Sequence, residues 1–279
     1  MRRRDYVPLV LLGGIAAFIV VQGKEMGRDR ASRRPAKTQA SASVAVEPQG
    51  VADSTRASAA ITAAGARSID VLPPVELRPS GEPPPTRDDA AVRDKIHDNV
   101  GGTYLPAILK EQDQMLLRWP ERQREALRVW IERNVTFPDF QPNYPVVAEH
   151  AFDEWKEAGF PLRFDIVTDR PSSDIQILWT DQFPANDGLR IGVTNKSRDQ
   201  NGWLVSAEIT LALHDRSGRP LSPEIVAGVA RHEIGHALGL GHSTDTLDVM
   251  YPKSTTPVIS AADKATLHLL YMLPPGLVK

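Results

Sequence analysis

The stretch HEIGHALGLGH, residues 232–242, decides how the folded part of this chain is interpreted. His232 and His236 are four residues apart, so on a helix both imidazoles project from one face at a separation that suits metal chelation. His242 can join them only if the helix stops and the chain reverses. Gly239 lies where that turn is needed, because glycine adopts the positive φ of a helix end at the lowest cost.

The residue types in this stretch favour a catalytic metal site. Three neutral histidines leave the fourth position of a tetrahedral zinc ion open for water, whereas a structural site is closed by protein ligands. Glu233 follows the first histidine and can lie beside the metal without binding it. A structural zinc site and an inactive enzyme are the alternatives, and the retained Glu233 argues against both. Chance occurrence of the five fixed residues has a probability on the order of 10⁻⁵.

Composition excludes several other chemistries. The chain has 279 residues, a net charge of −2 and no cysteine. The missing cysteines exclude a disulfide framework, an iron–sulfur cluster, a thiol nucleophile and any zinc site built on thiolates. The near-neutral charge lacks the basic excess expected of a nucleic-acid binder, so no nucleic-acid partner is expected.

The N-terminus has the pattern of an export signal. Arg2, Arg3 and Arg4 precede an apolar run from Val7 to Val21, and a basic flank followed by an apolar core is typical of secretory signals. Fifteen apolar residues are many for a signal core and few for the roughly 20 that cross a bilayer. Residues 1–23 are therefore interpreted as a signal anchor or as a cleaved signal peptide, with a buried core helix as the remaining alternative.

The positive-inside rule places the rest of the chain outside the cytoplasm. The expected localisation is export with membrane anchoring, or secretion if the signal is cleaved. Residues 24–100 are rich in Ala, Ser and Pro, which predicts a disordered linker because such a sequence buries too little apolar surface to offset its ordering entropy. Residues 101–279 are predicted to form the folded domain.

Within that domain, hydrophobic periodicity predicts alternating helices and strands. Ser222 before Pro223 predicts the N-terminus of the motif helix, and Ser260 with Asp263 predicts that of the last helix. A short piece at 191–194 is predicted to pair locally. The remaining predicted elements are helices at 105–116 and 145–158 and strands at 126–132, 162–168, 174–180 and 203–213.

The motif, followed by Ser243 and by DVMYP at 248–252, resembles the metzincin zinc proteases, and within them the matrixin branch. The resemblance covers about residues 126–273. It implies an α+β, zincin-like domain: a twisted, mixed five-stranded sheet with one antiparallel edge strand, a long active-site helix and a C-terminal helix. Residues 203–213 resemble the antiparallel edge strand that lines the substrate cleft of the family.

The same resemblance implies roles for individual residues. His232, His236 and His242 would bind one catalytic Zn²⁺, and Glu233 would be the general base. Supporting and cleft roles would fall to Met250, as the floor beneath the metal, to Gly239, and to Val205, Ala207, Tyr251 and Pro252 in the substrate cleft. The loop before the edge strand has no histidine, which predicts a single zinc ion. Three of its aspartates, Asp181, Asp187 and Asp199, are candidate Ca²⁺ ligands, with solvated loop carboxylates as the alternative.

The function expected from these residues is that of a zinc-dependent metalloendopeptidase acting on protein or peptide substrates. A substrate strand would add to the sheet edge by β-augmentation. The domain is expected to be a monomer, with the N-terminal segment contacting the membrane. Because the chain has no cysteine, latency through a cysteine thiol bound to the zinc is excluded. The alternative from another functional class is a surface binding or scaffold protein that uses the metzincin fold to capture peptides.

Overall fold

The computed structural model describes residues 72–121, 125–184, 190–253 and 258–279. The predicted anchor at 1–23 and most of the predicted linker therefore lie outside the described residues. Within the described ranges, none of the helices has the length and apolar character needed to cross a membrane.

The described residues form five α-helices, one 3₁₀ turn and eight strands. In chain order these are β1 (Glu76–Leu77), α1 (Asp89–Asp98), α2 (Leu105–Glu111), β2 (Met115–Leu116), β3 (Leu127–Ile131), α3 (Tyr144–Glu157), β4 (Phe164–Val167), the 3₁₀ turn Arg170–Ser172, β5 (Ile175–Thr180), β6 (Gly192–Arg198), β7 (Leu204–Ala212), α4 (Pro223–Ala237), α5 (Ala261–Met272) and β8 (Gly276–Leu277).

The fold is mixed, with a mostly parallel sheet in the order β1-β6-β7-β5-β3-β4. Strands β3, β4, β5 and β7 are parallel to one another, while β6 runs antiparallel to β7. The predicted mixed sheet is therefore confirmed, and β6–β7 is the antiparallel pair among its described strands. The two-residue β1 adds a sixth strand that the sequence did not indicate, and β2 and β8 form a separate antiparallel pair.

The predicted identity of the antiparallel strand is wrong. Residues 203–213 were expected at the sheet edge, but β7 lies inside the sheet, parallel to β5 on one side and antiparallel to β6 on the other. Alternation of apolar and polar residues shows which side chains of a strand face the core, but it does not show which strands are its neighbours. The antiparallel strand is β6, of which only 191–194 had been predicted as a local piece.

Most of strand β6 was not predicted from the hydrophobic pattern of the sequence, because its inward-facing residues are polar. In GVTNKSR, Thr194, Lys196 and Ser197 are buried although none is apolar. Thr194 and Lys196 face a charged site and not a hydrophobic core, as described below, whereas Ser197 Oγ lies 2.9 Å from Ser206 Oγ of β7. Hydrophobic periodicity therefore gave only a weak signal over this strand.

Regular structure is present well before residue 101. Strand β1 pairs in parallel with Ser197 and Arg198, and α1 buries Val92 and Ile96 in the main hydrophobic core. Hydrogen bonds add further attachments: Ser80 Oγ donates to Asp199 Oδ2 at 2.6 Å. The prediction of disorder thus differs from the structure over 72–100, because long-range packing stabilises a segment whose local sequence is rich in proline.

The predicted helix at 105–116 is shorter in the structure. It ends at Glu111, and the chain then turns through Asp113 and Gln114, both of which have positive φ. After this turn β2 pairs with β8, so Met115 belongs to a strand. The other predicted helices and strands are confirmed to within a few residues, including the Ser260–Asp263 capping box of α5.

Aromatic side chains from three parts of the chain hold α4 in place. Trp155 of α3 donates from its indole nitrogen to Arg231 O at 2.8 Å, and Trp119 donates to Ala237 O at 2.9 Å. The Tyr271 hydroxyl of α5 donates to Leu238 O at 2.9 Å. All three side chains are buried, so the carbonyls along and after the last turns of α4 are satisfied inside the core.

Candidate metal centre

Helix α4 presents the first two histidines. Its N-terminus is capped by the Ser222 hydroxyl, which accepts from Ile225 N, and Pro223 occupies the first turn. The helix ends after Ala237, and Gly239 follows with φ +104°. A residue with a side chain would be strained there, so Gly239 makes the reversal that carries the chain back towards His242.

Three histidine rings converge at this point. His232, His236 and His242 each offer one ring nitrogen, and these nitrogens lie within 4.8 Å of one another. The Nε2 atoms of His232 and His236 are 3.0 Å apart. All three residues are at least nine-tenths buried. Among the described residues this is the only group of three or more His, Cys, Asp or Glu side chains with such convergence.

The other ring nitrogen of each histidine faces an oxygen that can only accept a hydrogen bond. His232 Nδ1 lies 2.7 Å from Val249 O, and His236 Nδ1 lies 3.0 Å from Leu240 O. His242 Nδ1 lies 2.5 Å from a carboxylate oxygen of Glu111. Each Nδ1 must therefore carry the hydrogen, which leaves an Nε2 lone pair on each neutral ring.

This arrangement fits a zinc ion. Tetrahedral coordination with Zn–N bonds of about 2.0–2.1 Å separates two ligand nitrogens by roughly 3.4 Å. The 3.0 Å between Nε2 of His232 and Nε2 of His236 is close to that value, and two Nε2 lone pairs at this distance would repel each other without a cation between them. Neutral imidazoles held by acceptors on their far nitrogen are the usual environment of metal-bound histidine.

Glu233 lies beside the histidines and is held by strand β6. The Thr194 hydroxyl is 2.7 Å from Glu233 Oε2 and 2.9 Å from the Glu233 main-chain oxygen. Both residues are buried. A buried carboxylate that accepts a hydrogen bond from the Thr194 hydroxyl, next to a candidate metal, is suited to accept and return a proton.

Lys196 adds a buried positive charge to the same strand. Burial lowers the pKa of Lys196 to about 8, and this effect is opposed by attraction to Glu111 and Glu233. For Glu111, burial alone would raise the pKa, but hydrogen bonds from His242 outweigh it and the pKa is lowered. The side of β6 that faces the site therefore carries a hydroxyl group, from Thr194, and a charged group, from Lys196.

The turn at residues 248–252, the methionine turn, packs against the Gly235 side of α4. Met250 is fully buried, and its sulfur packs against the Gly235 backbone, where a Cβ would clash with it. Ser243 N donates to Met250 O at 2.9 Å, while Val249 N donates to Asp263 Oδ2 at 2.9 Å. The turn is thus hydrogen-bonded to Ser243, the residue after His242, and to Asp263 of α5.

The four residues expected in the substrate cleft lie in two different places. Ala207 is buried within β7, between Ile175 and Lys196, and Val205 lies on the same interior strand. Neither is on the sheet edge, so their expected contact with substrate is not supported by the strand order. Tyr251 and Pro252 follow the methionine directly and are half-buried; their cleft role stays a prediction.

Of the three candidate calcium ligands, Asp181 and Asp199 lie within the described residues, and neither belongs there to a convergent group of three or more His, Cys, Asp or Glu side chains. The Asp199 carboxylate accepts from Ser80 and from the main-chain nitrogens of Asn201 and Trp203. Asp181 pairs with His214 at 2.9 Å, and Asp187 lies outside the described residues. Calcium binding stays a prediction.

Two residues at the site were not found from the sequence. Thr194 lies in a strand with little hydrophobic pattern, and Glu111 ends a helix 121 residues before His232. No motif spacing connects either residue to the histidines. Only the pairing of β6 with β7 and the packing of α2 bring them to the site.

The fold and the site together define the class of domain. A mostly parallel sheet with one antiparallel pair, a histidine-bearing helix and a methionine turn packed against that helix are consistent with the architecture of a metzincin. A family model described as Matrixin matches residues 140–272. The chain therefore carries a matrixin-like metzincin domain.

Sequence comparison points the same way. The chain is 34% identical over 113 residues to Metalloendoproteinase 1-MMP of Arabidopsis thaliana, which covers 38% of this chain and 30% of that protein. It is 29% identical over 153 residues to Metalloendoproteinase 2-MMP of the same plant, covering 50% and 38%. Metalloendoproteinase 1 of Glycine max is 29% identical over 122 residues, covering 41% and 40%. The chain thus spans well under half the length of these curated relatives.

Proposed function

We propose that this protein is a zinc-dependent metalloendopeptidase that hydrolyses peptide bonds in proteins or peptides. The observation that carries the proposal is the orientation of the three histidines. Each Nδ1 is committed to an oxygen acceptor, so three Nε2 lone pairs converge in one buried place beside Glu233. The matrixin match and the names of the plant relatives support the same activity.

Metal binding, proton transfer and positioning of the general base would fall to different residues. His232, His236 and His242 would hold the ion. Bound zinc lowers the pKa of water towards about 7 and polarises a carbonyl oxygen. Glu233 Oε2 accepts a proton from the attacking water and afterwards donates it to the leaving amine nitrogen. Thr194 keeps the Glu233 carboxylate in place through both transfers.

The substrate is proposed to lie along β6. Strand β1 pairs with only Ser197 and Arg198, so within the described residues the stretch 192–196 has β7 on one side and no second partner strand. An extended peptide adding to this stretch would satisfy main-chain hydrogen bonds and pass next to Glu233. The proposed substrate edge is therefore β6 and not β7.

The direct test compares two glutamates of the same helix. Glu233→Gln is expected to retain zinc and to lose cleavage of a peptide library by about 10²- to 10⁴-fold, since the proton acceptor is removed. Glu224→Gln, in the exposed first turn of α4, is the matched control and is expected to cleave normally. A chelator should abolish cleavage by the unaltered chain, and added zinc should restore it.

A scaffold role predicts a different result. If the fold only captures peptides, the unaltered chain would bind zinc and peptides without cleaving them, and Glu233→Gln would change nothing. Cleavage that persists in Glu233→Gln with zinc bound would contradict the proposed mechanism. The cleavage-site profile from the same library would identify the side chains that the enzyme prefers.

We further propose that the protein is exported and held at a membrane by its N-terminal segment. The support is the arginine cluster followed by the apolar run from Val7 to Val21. Mass spectrometry of the mature N-terminus separates the two versions. An intact N-terminus in the membrane fraction supports the anchor, whereas a chain that starts near Lys24 in the soluble fraction contradicts it and indicates secretion.

A further inference from the structure

The third histidine of the cluster is held by a side chain from outside the matched family segment. Glu111, the last residue of α2, accepts a hydrogen bond from His242 N at 2.7 Å and lies 2.5 Å from His242 Nδ1. The matrixin match begins only at residue 140. A helix upstream of that segment therefore supplies a direct contact to one of the candidate zinc ligands.

The three histidines differ in the kind of acceptor that orients them. His232 and His236 use the main-chain oxygens of Val249 and Leu240. His242 uses a carboxylate, which is a stronger acceptor than a neutral carbonyl. A carboxylate behind a ligand histidine fixes its tautomer and ring orientation and increases the basicity of its free nitrogen.

The surrounding structure is shaped for this carboxylate. Gly241 has no side chain, and a Cβ at that position would clash with Glu111 Oε2. Helix α2 is anchored by Leu105 and Ile108, which are fully buried. Buried Lys196 attracts the Glu111 carboxylate from β6. The missing side chain at Gly241, the packing of α2 and the charge of Lys196 thus all favour one position for the Glu111 carboxylate.

We propose that Glu111 is a positioning residue of the metal centre: it accepts the Nδ1 hydrogen of His242 and holds Nε2 of that ring towards the ion. Helix α2 is therefore part of the site although it lies before the matched segment. This inference rests on the proposed zinc-dependent function, and it adds a residue that no spacing in the motif indicates.

The test measures zinc affinity directly, by competition of the full chain with a chromophoric chelator. Glu111→Ala is expected to weaken zinc binding by about 10- to 100-fold, the usual effect of removing such a partner. Glu111→Gln is expected to fall between the unaltered chain and Glu111→Ala, because its amide oxygen can still accept from Nδ1. Glu154→Gln is the matched control, since Glu154 is a partly buried carboxylate that pairs with Arg231 of α4.

A second variant disturbs the same Glu111–His242 contact through a change at Gly241. Gly241→Ala pushes the Glu111 carboxylate away from His242, so its zinc affinity should fall as in Glu111→Ala. The double variant should lose no more than the larger single loss, since both changes remove one interaction. This variant keeps the test decisive if Glu111→Ala folds poorly.

The outcomes separate this inference from the proposed function. A purely structural role for Glu111 would lower the unfolding temperature of the zinc-free chain and leave the zinc dissociation constant at the value of Glu154→Gln, which would overturn the inference alone. An unaltered chain that neither binds zinc nor cleaves peptides would overturn the proposed function. Weaker zinc binding in Glu111→Ala and Gly241→Ala, with normal binding in Glu154→Gln, supports the inference.

Discussion

The Thr194 hydroxyl lies 2.7 Å from Glu233 Oε2, joining the antiparallel strand β6 to the motif helix α4. The two residues are 39 positions apart in the chain, and both are buried. The same hydroxyl is 2.9 Å from the Glu233 main-chain oxygen. The orientation of the proposed general base therefore depends on a strand that lies outside the motif.

Replacement of Thr194 by valine removes this contact at nearly constant volume. We expect kcat to fall by about 10- to 100-fold with zinc content unchanged, which corresponds to the roughly 1.5–3 kcal/mol of a hydrogen bond to a charged group. Thr210→Val, on β7 opposite Val193, is the control. Steady-state kinetics with metal analysis measure the effect, and an unchanged kcat would show that Thr194 does not position Glu233.

Gly239 and Gly228 give a matched pair of glycine substitutions. Gly239 has φ +104°, and a Cβ there would clash with the Leu117 carbonyl oxygen. Gly239→Ala should therefore destabilise the domain by about 2 kcal/mol or more and weaken zinc binding, because His242 is displaced. Gly228→Ala, with open space at its Cβ inside α4, should stabilise the domain by about 0.5–1 kcal/mol. Chemical denaturation compares them, and equal effects would contradict the turn assignment.

The packing of α1 is tested by truncating one of its core side chains. Ile96→Ala should cost about 2–4 kcal/mol, because Ile96 is only 8% exposed and belongs to the main core. Val100→Ala, at a 51% exposed position, should change stability by less than about 0.5 kcal/mol. Thermal unfolding provides the measurement. If both variants unfold like the parent chain, residues 89–100 do not pack as described.

His214 predicts a pH-dependent contribution to stability. Its hydrogen bond to Asp139 at 3.0 Å raises the pKa of His214, burial opposes this, and contact with Asp181 reinforces it. A histidine whose native pKa is raised stabilises the fold fully below its unfolded pKa of about 6.5. This contribution is lost as the pH rises through the higher native pKa.

The measurement is the difference in unfolding free energy between the parent chain and His214→Gln, with zinc present throughout. The difference should be largest near pH 6 and shrink as the pH increases above 6.5. His268→Gln, at an exposed position of α5, should show no such trend. A difference that grows with pH would contradict the assignment.

The features that could be predicted from the sequence are those set by neighbours in the chain. The spacing of His232 and His236, the Ser222 cap and the Ser260–Asp263 capping box all act within one or two helical turns. Gly239 was predicted as the turn residue because helix geometry alone required a reversal before His242. Such features depend on local backbone geometry, which a short stretch of residues specifies.

The strand order, the ordered segment from residue 72 and the contacts of Thr194 and Glu111 emerged only from the folded chain. Each depends on residues brought together from distant positions: His242 and Glu111 are 131 residues apart. The residues involved are also polar, so their burial leaves no hydrophobic periodicity to detect. Polar groups are buried only where partners satisfy them, and those partners are defined by tertiary packing rather than by spacing along the chain.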